Sequence, residues 1–167
     1  RRTWLFYETF VGPEDNWLPP DNFQERPRGE VAHRTSPTNI GMLLMSSLSA
    51  YDLGYLGIAD LTFRLKDTLE SLTRLTHYQG HLLNWYDTRT LEPLEPRYVS
   101  TVDSGNLAAA LISTKQGCAE AAAGCVLREE QWRGLLDTIL LLEESVTSAF
   151  AGSDEAEIWR PMRRALS

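Results

Sequence analysis

The spacing of apolar residues along the chain predicts five helices and therefore an all-α fold. The predicted helices span residues 1–11, 37–53 and 58–75, a fourth stretch from Asp103 or Ser104 to Cys118 or beyond, and residues 128–150. The second is apolar on nearly all sides, which indicates a buried helix packed closely by its neighbours. The third carries a leucine stripe with charged residues off it. We expect its outer side to face solvent.

Capping residues set the predicted helix ends. Ser36 precedes a proline, which is the arrangement of an N-cap followed by the first helical residue. Gly54 is the predicted C-terminal cap of the second helix, and Gly80 the predicted end of the third. Gly152 is expected to close the last helix, and the tail from Ser153 to form a short helix or a frayed end.

Two long segments lack helical periodicity. Residues 15–41 contain four prolines and two Asp-Asn pairs, and loops of this length are usually functional or disordered. Apolar anchors such as Trp17 favour an ordered loop that brings polar groups to the mouth of a helical domain. Residues 81–99 contain two prolines that exclude a helix, so we expect a short irregular hairpin or an extended loop there.

An internal repeat relates the starts of the second and fourth helices. Residues 35–41 and 101–108 both run from a polar loop, through a Ser or Asp cap and an Asn in the first turn, into an apolar helix. Each is followed by a more polar helix. Repeated helical hairpins of this kind predict an α/α toroid, whose inner helices line a funnel and whose loops build the site. Chance similarity between two capped helices is the alternative.

Composition narrows the class of protein. A length of 167 residues, 43% of them hydrophobic, is enough for one domain with a buried core. A net charge of -7 argues against nucleic-acid binding, which requires a basic face. The apolar run 135–142 is interrupted by Asp137 and is far shorter than the roughly 20 residues of a membrane span. Cys118 and Cys125 share a predicted helical face too far apart for a disulfide, so we expect buried, reduced thiols.

The sequence predicts neither a metal nor a cofactor. Its three histidines are scattered and form no cluster with cysteines. There is no glycine-rich phosphate-binding loop. No nucleophile-elbow glycine pattern surrounds Ser36, Ser100 or Ser104, which argues against a serine hydrolase.

The loop residues fit carbohydrate chemistry. Sugar hydrolysis or transfer needs two carboxyl groups across the scissile bond, and the loops contain Glu14, Asp15, Asp21, Glu25, Asp87, Glu92, Glu95 and Asp103. Sugars also need aromatic platforms, amides and guanidinium groups, types supplied by Trp17, Phe23, Trp85, Tyr86, Asn22, Gln24, Asn84, Arg34 and Arg89. We predict that substrate contacts come from Trp17, Asp21, Asn22, Gln24, Arg34, Asn39, Trp85, Tyr86, Asp87 and Asn106.

Several of these residues have an equally ordinary structural explanation. Asp103 is equally well explained as a plain N-cap, and Asp87 as the residue that closes a turn. Asp21 and its neighbouring asparagine suit an Asx turn. His33 beside Arg34 could bind a sugar or an anion. Two tryptophans on helix stripes, Trp4 and Trp132, are predicted core residues.

Three blocks of the sequence resemble the middle, glucoamylase-like region of bacterial cyclic β-1,2-glucan synthases. They are TFVGPEDNWLPPDNFQE, VAHRTSPTNIG and GHLLNWYDTRTLEPLEPRYVSTVDSGNLAAAL, which occur in the family's order over about residues 3–115. The resemblance implies a very large inner-membrane protein. Its glycosyltransferase part would elongate β-1,2-glucan from UDP-glucose, its middle α/α toroid would cyclise the chain by transglycosylation, and a phosphorylase-like part would follow.

The resemblance also carries expectations for this chain. The relatives have a Ser-Thr-Val-Asp type motif, which makes Asp103 the catalytic candidate. Residues 1–167 would form a single-domain fragment, about half of a six-hairpin barrel, on the cytoplasmic side of the membrane. The catalytic glutamates would lie beyond Ser167, so we expect an inactive fragment. Its uncovered apolar helix surface should lead to self-association.

Two alternative functions remain open at the level of sequence. One is a β-1,2-glucan hydrolase, which would place an attacking water between its carboxylates. The other is a non-catalytic helical scaffold between the transferase and phosphorylase parts. In a scaffold the loop aromatics would pack inward instead of facing a sugar.

Overall fold

The computed structural model describes the backbone of residues 1–149 and the side chains of residues 1–146. Its helices are α1 (Arg2–Phe10), α2 (Pro37–Asp52), α3 (Ile58–Arg74), α4 (Thr101–Ala123) and α5 (Glu129–Ala149). Short antiparallel strand pairs join β1 (Phe23–Gln24) to β2 (Glu30–Val31), β3 (Arg34–Thr35) to β6 (Tyr86–Asp87), and β4 (His77–Tyr78) to β5 (His81–Leu82). The prediction of a mostly helical fold is confirmed, and the strands lie in the loops.

Helix α2 lies at the centre of the core. Nine of its 16 residues are buried, and it packs against α1, α3 and α4, which confirms the predicted buried helix. Its N-cap is Ser36, whose hydroxyl oxygen accepts the backbone N–H of Asn39 at 3.2 Å. Gly54 follows the helix with a φ of +78°, a left-handed conformation that favours glycine. Both predicted ends of α2 are therefore confirmed.

Helices α2 and α4 run parallel and in close contact. A β-carbon on Gly41 would lie 3.1 Å from the Cβ of Ala110, and one on Gly117 would lie 2.9 Å from a methyl carbon of Leu48. Residue numbers increase in the same direction along both helices, so the two N-termini lie at the same end. Small residues at these positions allow the backbones to approach each other.

The predicted repeat is present, but its register differs from the prediction. The N-cap of α4 is Ser100, and not Asp103 or Ser104. The hydroxyl oxygen of Ser100 accepts the N–H of Asp103 at 3.2 Å, as Ser36 does for Asn39. Asp103 therefore corresponds to Asn39 and is the third helical residue, inside the helix it was expected to cap. The two asparagines of the predicted repeat do not correspond.

Gly80 does not end α3, contrary to the prediction. The helix ends at Arg74, and Gln79 and Gly80, with φ of 49° and 82°, form the turn of the β4–β5 hairpin. Left-handed backbone is common both after a helix and in a tight hairpin, so a glycine alone does not distinguish them. Further along, Tyr86 forms a bridge with Pro93, which confirms the predicted irregular hairpin.

Several apolar side chains on α4 and α5 are exposed, including Trp132, which was predicted to lie in the core. Ile112 is 71% exposed and Trp132 is 67% exposed. Along α5, Leu135, Leu136, Leu140 and Leu142 are exposed as well. Helical spacing identifies an apolar face, but whether that face is covered depends on what packs against it. Self-association through this surface stays a prediction.

The predicted core position of Trp4 is confirmed, whereas that of the two cysteines is wrong. On α1 the buried residues are Trp4 and Tyr7. Cys118 and Cys125 form no disulfide, as predicted, but both are exposed, and Cys125 lies beyond the end of α4. Their sequence spacing assumed one continuous helix, and α4 ends between them.

The predicted end of the last helix at residue 150, its closure at Gly152 and the tail from Ser153 lie outside the described residues. No helix within residues 1–149 combines the length and the apolar character needed to cross a bilayer.

Candidate functional site

The long loop before α2 is ordered and folds back on itself. Leu18 and the two prolines after it are buried, which anchors the start of the loop. The β1–β2 hairpin then carries the chain outward and back. At its base the N–H of Asp21 donates to the carbonyl of Ala32 at 3.2 Å, and the N–H of Ala32 donates to the carbonyl of Asn22 at 2.9 Å. The return brings Asp21 close to Arg34.

Asp21 is the centre of the first polar cluster. Its Oδ2 accepts hydrogen bonds from Nη2 of Arg34 at 2.9 Å, from Nε of Arg34 at 3.2 Å and from Nδ2 of Asn22 at 2.9 Å. Its Oδ1 accepts one from Nδ2 of Asn39 at 3.3 Å. The guanidinium carbon of Arg34 lies 5.0 Å from the centre of the Trp85 ring, within range of a cation–π interaction. The loop, the first turn of α2 and the β6 loop thus meet at one point.

A second polar cluster joins the N-terminal ends of α2 and α4. The hydroxyl of Thr38 donates to Oδ1 of Asp103, and Nδ2 of Asn106 donates to the hydroxyl oxygen of Thr38 at 3.0 Å. Thr38 and Asn39 are consecutive, so the first turn of α2 contacts Asp103 in one cluster and Asp21 in the other. Residues from the predicted set that come together here are Asp21, Asn22, Arg34, Asn39, Trp85, Asp103 and Asn106.

The carboxylates of Asp21 and Asp103 differ in how many of their oxygens already accept hydrogen bonds. Asp21 accepts four hydrogen bonds, including a pair from one guanidinium group, so its oxygens are largely occupied. Asp103 uses Oδ1 for Thr38, and within the described part of the chain its Oδ2 has no hydrogen-bond partner. Asp21 is suited to holding Arg34 in place. Asp103 is suited to accepting a hydrogen bond or a proton from a ligand.

Tyr86 is a core residue and not a ligand contact. It is completely buried, its hydroxyl donates to the carbonyl of Thr76 at 2.6 Å, and it accepts the N–H of Leu83 at 2.6 Å. Burial raises the pKa of Tyr86, and the Leu83 N–H only partly opposes this effect. The predicted sugar contact at Tyr86 is therefore replaced by a structural role.

Asp87 closes a turn. Its Oδ1 accepts the backbone N–H groups of Arg89 and Thr90, both at 2.9 Å, which is the Asx-turn geometry. Partial burial alone would favour the neutral carboxyl. The N–H groups of Thr90 and Arg89 outweigh it and lower the pKa of Asp87 below its ordinary value. Of the two explanations for Asp87, the structure shows the turn.

Trp17 and Gln24 contact residues outside the two polar clusters. The Trp17 side chain is half-buried against the core, its carbonyl accepts the hydroxyl of Thr68 at 3.0 Å, and the guanidinium carbon of Arg64 lies 5.9 Å from its ring. Gln24 is exposed in β1 and pairs with Glu30. Trp17 therefore packs inward, as expected for a structural aromatic residue.

A third polar cluster was not predicted. Oδ1 of the buried Asp15 lies 2.8 Å from Nδ1 of His33 and accepts the hydroxyl of Thr88 at 2.5 Å. Next to it, Nδ2 of Asn16 donates to the carbonyls of Thr88 and Arg89, both at 2.9 Å. This cluster joins the two long loops. Asp15 and Thr88 are 73 residues apart, and no sequence pattern connects them.

The chemistry of the site is that of hydrogen bonding. Residues 1–146 contain no group of three His, Cys, Asp or Glu side chains placed to hold a metal ion. The groups that converge are amides, a guanidinium, hydroxyls, a tryptophan ring and one partly free carboxylate. Such groups recognise a polyhydroxylated ligand by hydrogen bonds and by contact with a ring face.

Comparison with known proteins finds a similar segment in a glucan synthase. No protein-family model matches the chain. The chain is 47% identical over 165 residues to the cyclic beta-(1,2)-glucan synthase NdvB of Rhizobium meliloti (strain 1021). The match covers 98% of this chain but only 6% of the length of that relative. The comparison therefore confirms the resemblance to the cyclic β-1,2-glucan synthases, of which this chain matches one short segment.

Proposed function

We propose that this chain is part of a cyclic β-1,2-glucan synthase and binds β-1,2-glucan where the enzyme cyclises it by transglycosylation. The observation that carries the proposal is the convergence of polar side chains at the shared N-terminal end of α2 and α4. Parallel neighbouring helices whose N-terminal loops meet are what the inner helices of an α/α toroid would present. The short match to a glucan synthase supports the same ligand class.

In this proposal the two clusters have different tasks. Arg34, held by Asp21 and stacked over Trp85, offers guanidinium N–H groups to sugar hydroxyls. About half of the Arg34 side chain is exposed, so a ligand can reach it. Asp103 presents Oδ2, which accepts no hydrogen bond from the described residues, as a hydrogen-bond acceptor or proton carrier, the role expected of a glycosidase-type carboxylate.

The proposal extends to the rest of the polypeptide. The remaining domains of the synthase would contact this segment and supply the other catalytic carboxylate, so the isolated chain would bind glucan without turning it over. The whole protein would lie at the bacterial inner membrane with this segment on the cytoplasmic side. The exposed apolar residues of α4 and α5 would then face neighbouring parts of the same protein or another copy of the chain.

A non-catalytic scaffold is the second candidate. It is favoured by the inward packing of Trp17 and by the complete burial of Tyr86. Both aromatic residues were expected to face a sugar. A scaffold would keep the polar clusters only to join its loops, and it would not bind glucan.

A titration of the chain with linear β-1,2-gluco-oligosaccharides, followed by NMR shifts, tests the proposal. Cellulose-type β-1,4-linked oligosaccharides serve as the linkage control. We expect β-1,2-selective shifts in wild type that are lost in Asp103→Asn and Asp21→Asn. Asp52→Asn is the matched control, because Asp52 is exposed on the last turn of α2, at the other end of the same helix. Equal shifts with both linkages would contradict selective binding of β-1,2-glucan. No shifts with millimolar sugar would contradict glucan binding and favour the scaffold.

A further inference from the structure

We propose that Thr38 is the positioning residue of Asp103. Asp103 lies on α4, but the group that holds its carboxylate is a hydroxyl on α2. Its own helix does not need it as a cap, because Ser100 has that role. The proposal that this carboxylate serves a glucan rests on the proposed function, whereas its orientation rests on geometry alone.

The hydrogen bonds around Thr38 have a definite direction. A threonine hydroxyl has one proton and two lone pairs. Nδ2 of Asn106 carries only protons and donates to the Thr38 oxygen at 3.0 Å. The single hydroxyl proton of Thr38 is thereby directed to Oδ1 of Asp103. The hydrogen-bonded chain thus runs from the Asn106 amide to the Thr38 hydroxyl and on to the Asp103 carboxylate.

This arrangement changes the role of Asn106. It was predicted to contact substrate, but one of its amide protons is used to orient Thr38. Asn39 is likewise engaged, since its amide donates to Asp21 at 3.3 Å. The first turn of α2 therefore places two carboxylates. In this arrangement the ligand meets the carboxylate of Asp103 and the guanidinium group of Arg34, and substrate contacts by the Asn39 and Asn106 amides stay predictions.

Helix packing brings Thr38 within reach of Asp103. Gly41 lies one turn after Thr38, and Ala110 lies one turn after Asn106. The helices approach closely where these small residues meet, with a Gly41 β-carbon position 3.1 Å from the Ala110 Cβ. Larger side chains at positions 41 and 110 would separate the first turns of the two helices, and the distance between Thr38 and Asp103 would then be too long for a hydrogen bond. Positioning of Asp103 is thus a property of the α2–α4 interface.

The test compares Thr38→Val, which removes the hydroxyl but keeps a β-branched shape, with Thr38→Ser, which keeps the hydroxyl. Thr62→Val is the matched control, because Thr62 is exposed on α3 and its hydroxyl bonds only within that helix. Two quantities are measured on the same samples. NMR couplings of the Asp103 β-protons report whether its side chain keeps one orientation, and a titration with β-1,2-gluco-oligosaccharide gives the dissociation constant.

We expect Asp103 to keep one orientation in wild type, Thr38→Ser and Thr62→Val, and to lose it in Thr38→Val. Sugar binding should weaken by roughly tenfold or more in Thr38→Val, the size expected for losing a hydrogen bond to a charged group. Asn106→Ala is a second variant that changes only an exposed side chain. This substitution should allow the Asp103 side chain to adopt more than one orientation in part of the molecules, without affecting the fold.

The outcomes separate this proposal from the proposed function. A single Asp103 orientation in both Thr38→Val and Asn106→Ala would overturn the positioning role, whatever binds. If Asp103 changed orientation in Thr38→Val while sugar binding stayed undiminished, the orientation of Asp103 would not matter for glucan binding. That result would also overturn the role of Thr38 as a positioning residue. Reorientation in a protein whose wild type binds no sugar would support the positioning role and refute only the proposed function.

Discussion

Gly41 on α2 faces Ala110 on α4 so closely that a β-carbon on the glycine would lie 3.1 Å from the alanine Cβ. We predict that Gly41→Val destabilises the protein by about 1–3 kcal/mol, because the added methyl groups overpack the interface and push the helices apart. Chemical denaturation monitored by circular dichroism measures the change in free energy of unfolding.

The matched control is another helical glycine, Gly105→Ala. A β-carbon on Gly105 would meet no atom within 4 Å. The substitution should therefore act only through the better helix propensity of alanine and raise the free energy of unfolding by about 0.5–1 kcal/mol. If Gly41→Val proved as stable as wild type, the close approach of α2 and α4 would be wrong.

Thr88→Val should destabilise the junction between the two long loops. The Thr88 hydroxyl donates to the buried carboxylate of Asp15 at 2.5 Å, and its loss leaves that carboxylate with one donor fewer. The expected cost is about 1–3 kcal/mol in the free energy of unfolding. The exposed Thr62→Val should change it by less than about 0.5 kcal/mol. Equal effects of the two substitutions would argue against the junction.

Tyr86→Phe should lower stability without lowering sugar affinity. The substitution removes a completely buried hydroxyl that joins the Thr76 carbonyl to the Leu83 N–H, and both backbone groups would be left without this partner, at a cost of about 1–3 kcal/mol. Thermal unfolding and the NMR titration measure the two effects separately. Lost affinity in a variant of unchanged stability would restore Tyr86 as a ligand contact.

The Asp87 turn should contribute a pH-dependent part of the stability. The pKa of Asp87 is lowered from 3.8 in the folded protein, so its stabilising effect is present above that ordinary value and is lost as the pH falls through the folded pKa. Asp87→Asn keeps an oxygen that accepts the two backbone N–H groups, but it does not titrate. Denaturation from neutral to acidic pH should show wild type losing its advantage over Asp87→Asn as the solution becomes acidic. A constant difference across that range would refute this contribution.

The helices were predictable because the determinants of α2 and α3 are local. The predicted and observed bounds of α2 differ by one residue, 37–53 against Pro37–Asp52, since Ser36 and Gly54 act on the backbone next to them. Where one local feature is compatible with two kinds of structure, the prediction was wrong. Gly80 suits both a helix end and a hairpin turn, and only the pairing of β4 with β5 selects the turn.

The candidate site was also predictable only in part. Residue types and their loops pointed to Asp21, Arg34, Trp85 and Asp103, but the sequence could not indicate that Thr38 holds Asp103 or that Tyr86 is buried.

By itself, the sequence determined the helices, the two caps of α2 and the supply of side chains of the types that sugars require, because periodicity and capping act over a few residues. Only the tertiary structure decided, within the described residues, which carboxylate oxygen is without a hydrogen-bond partner and which apolar faces are covered. Those outcomes depend on contacts between residues far apart in the chain, such as the 65-residue separation of Thr38 and Asp103, and the parallel packing of α2 and α4 makes that contact possible.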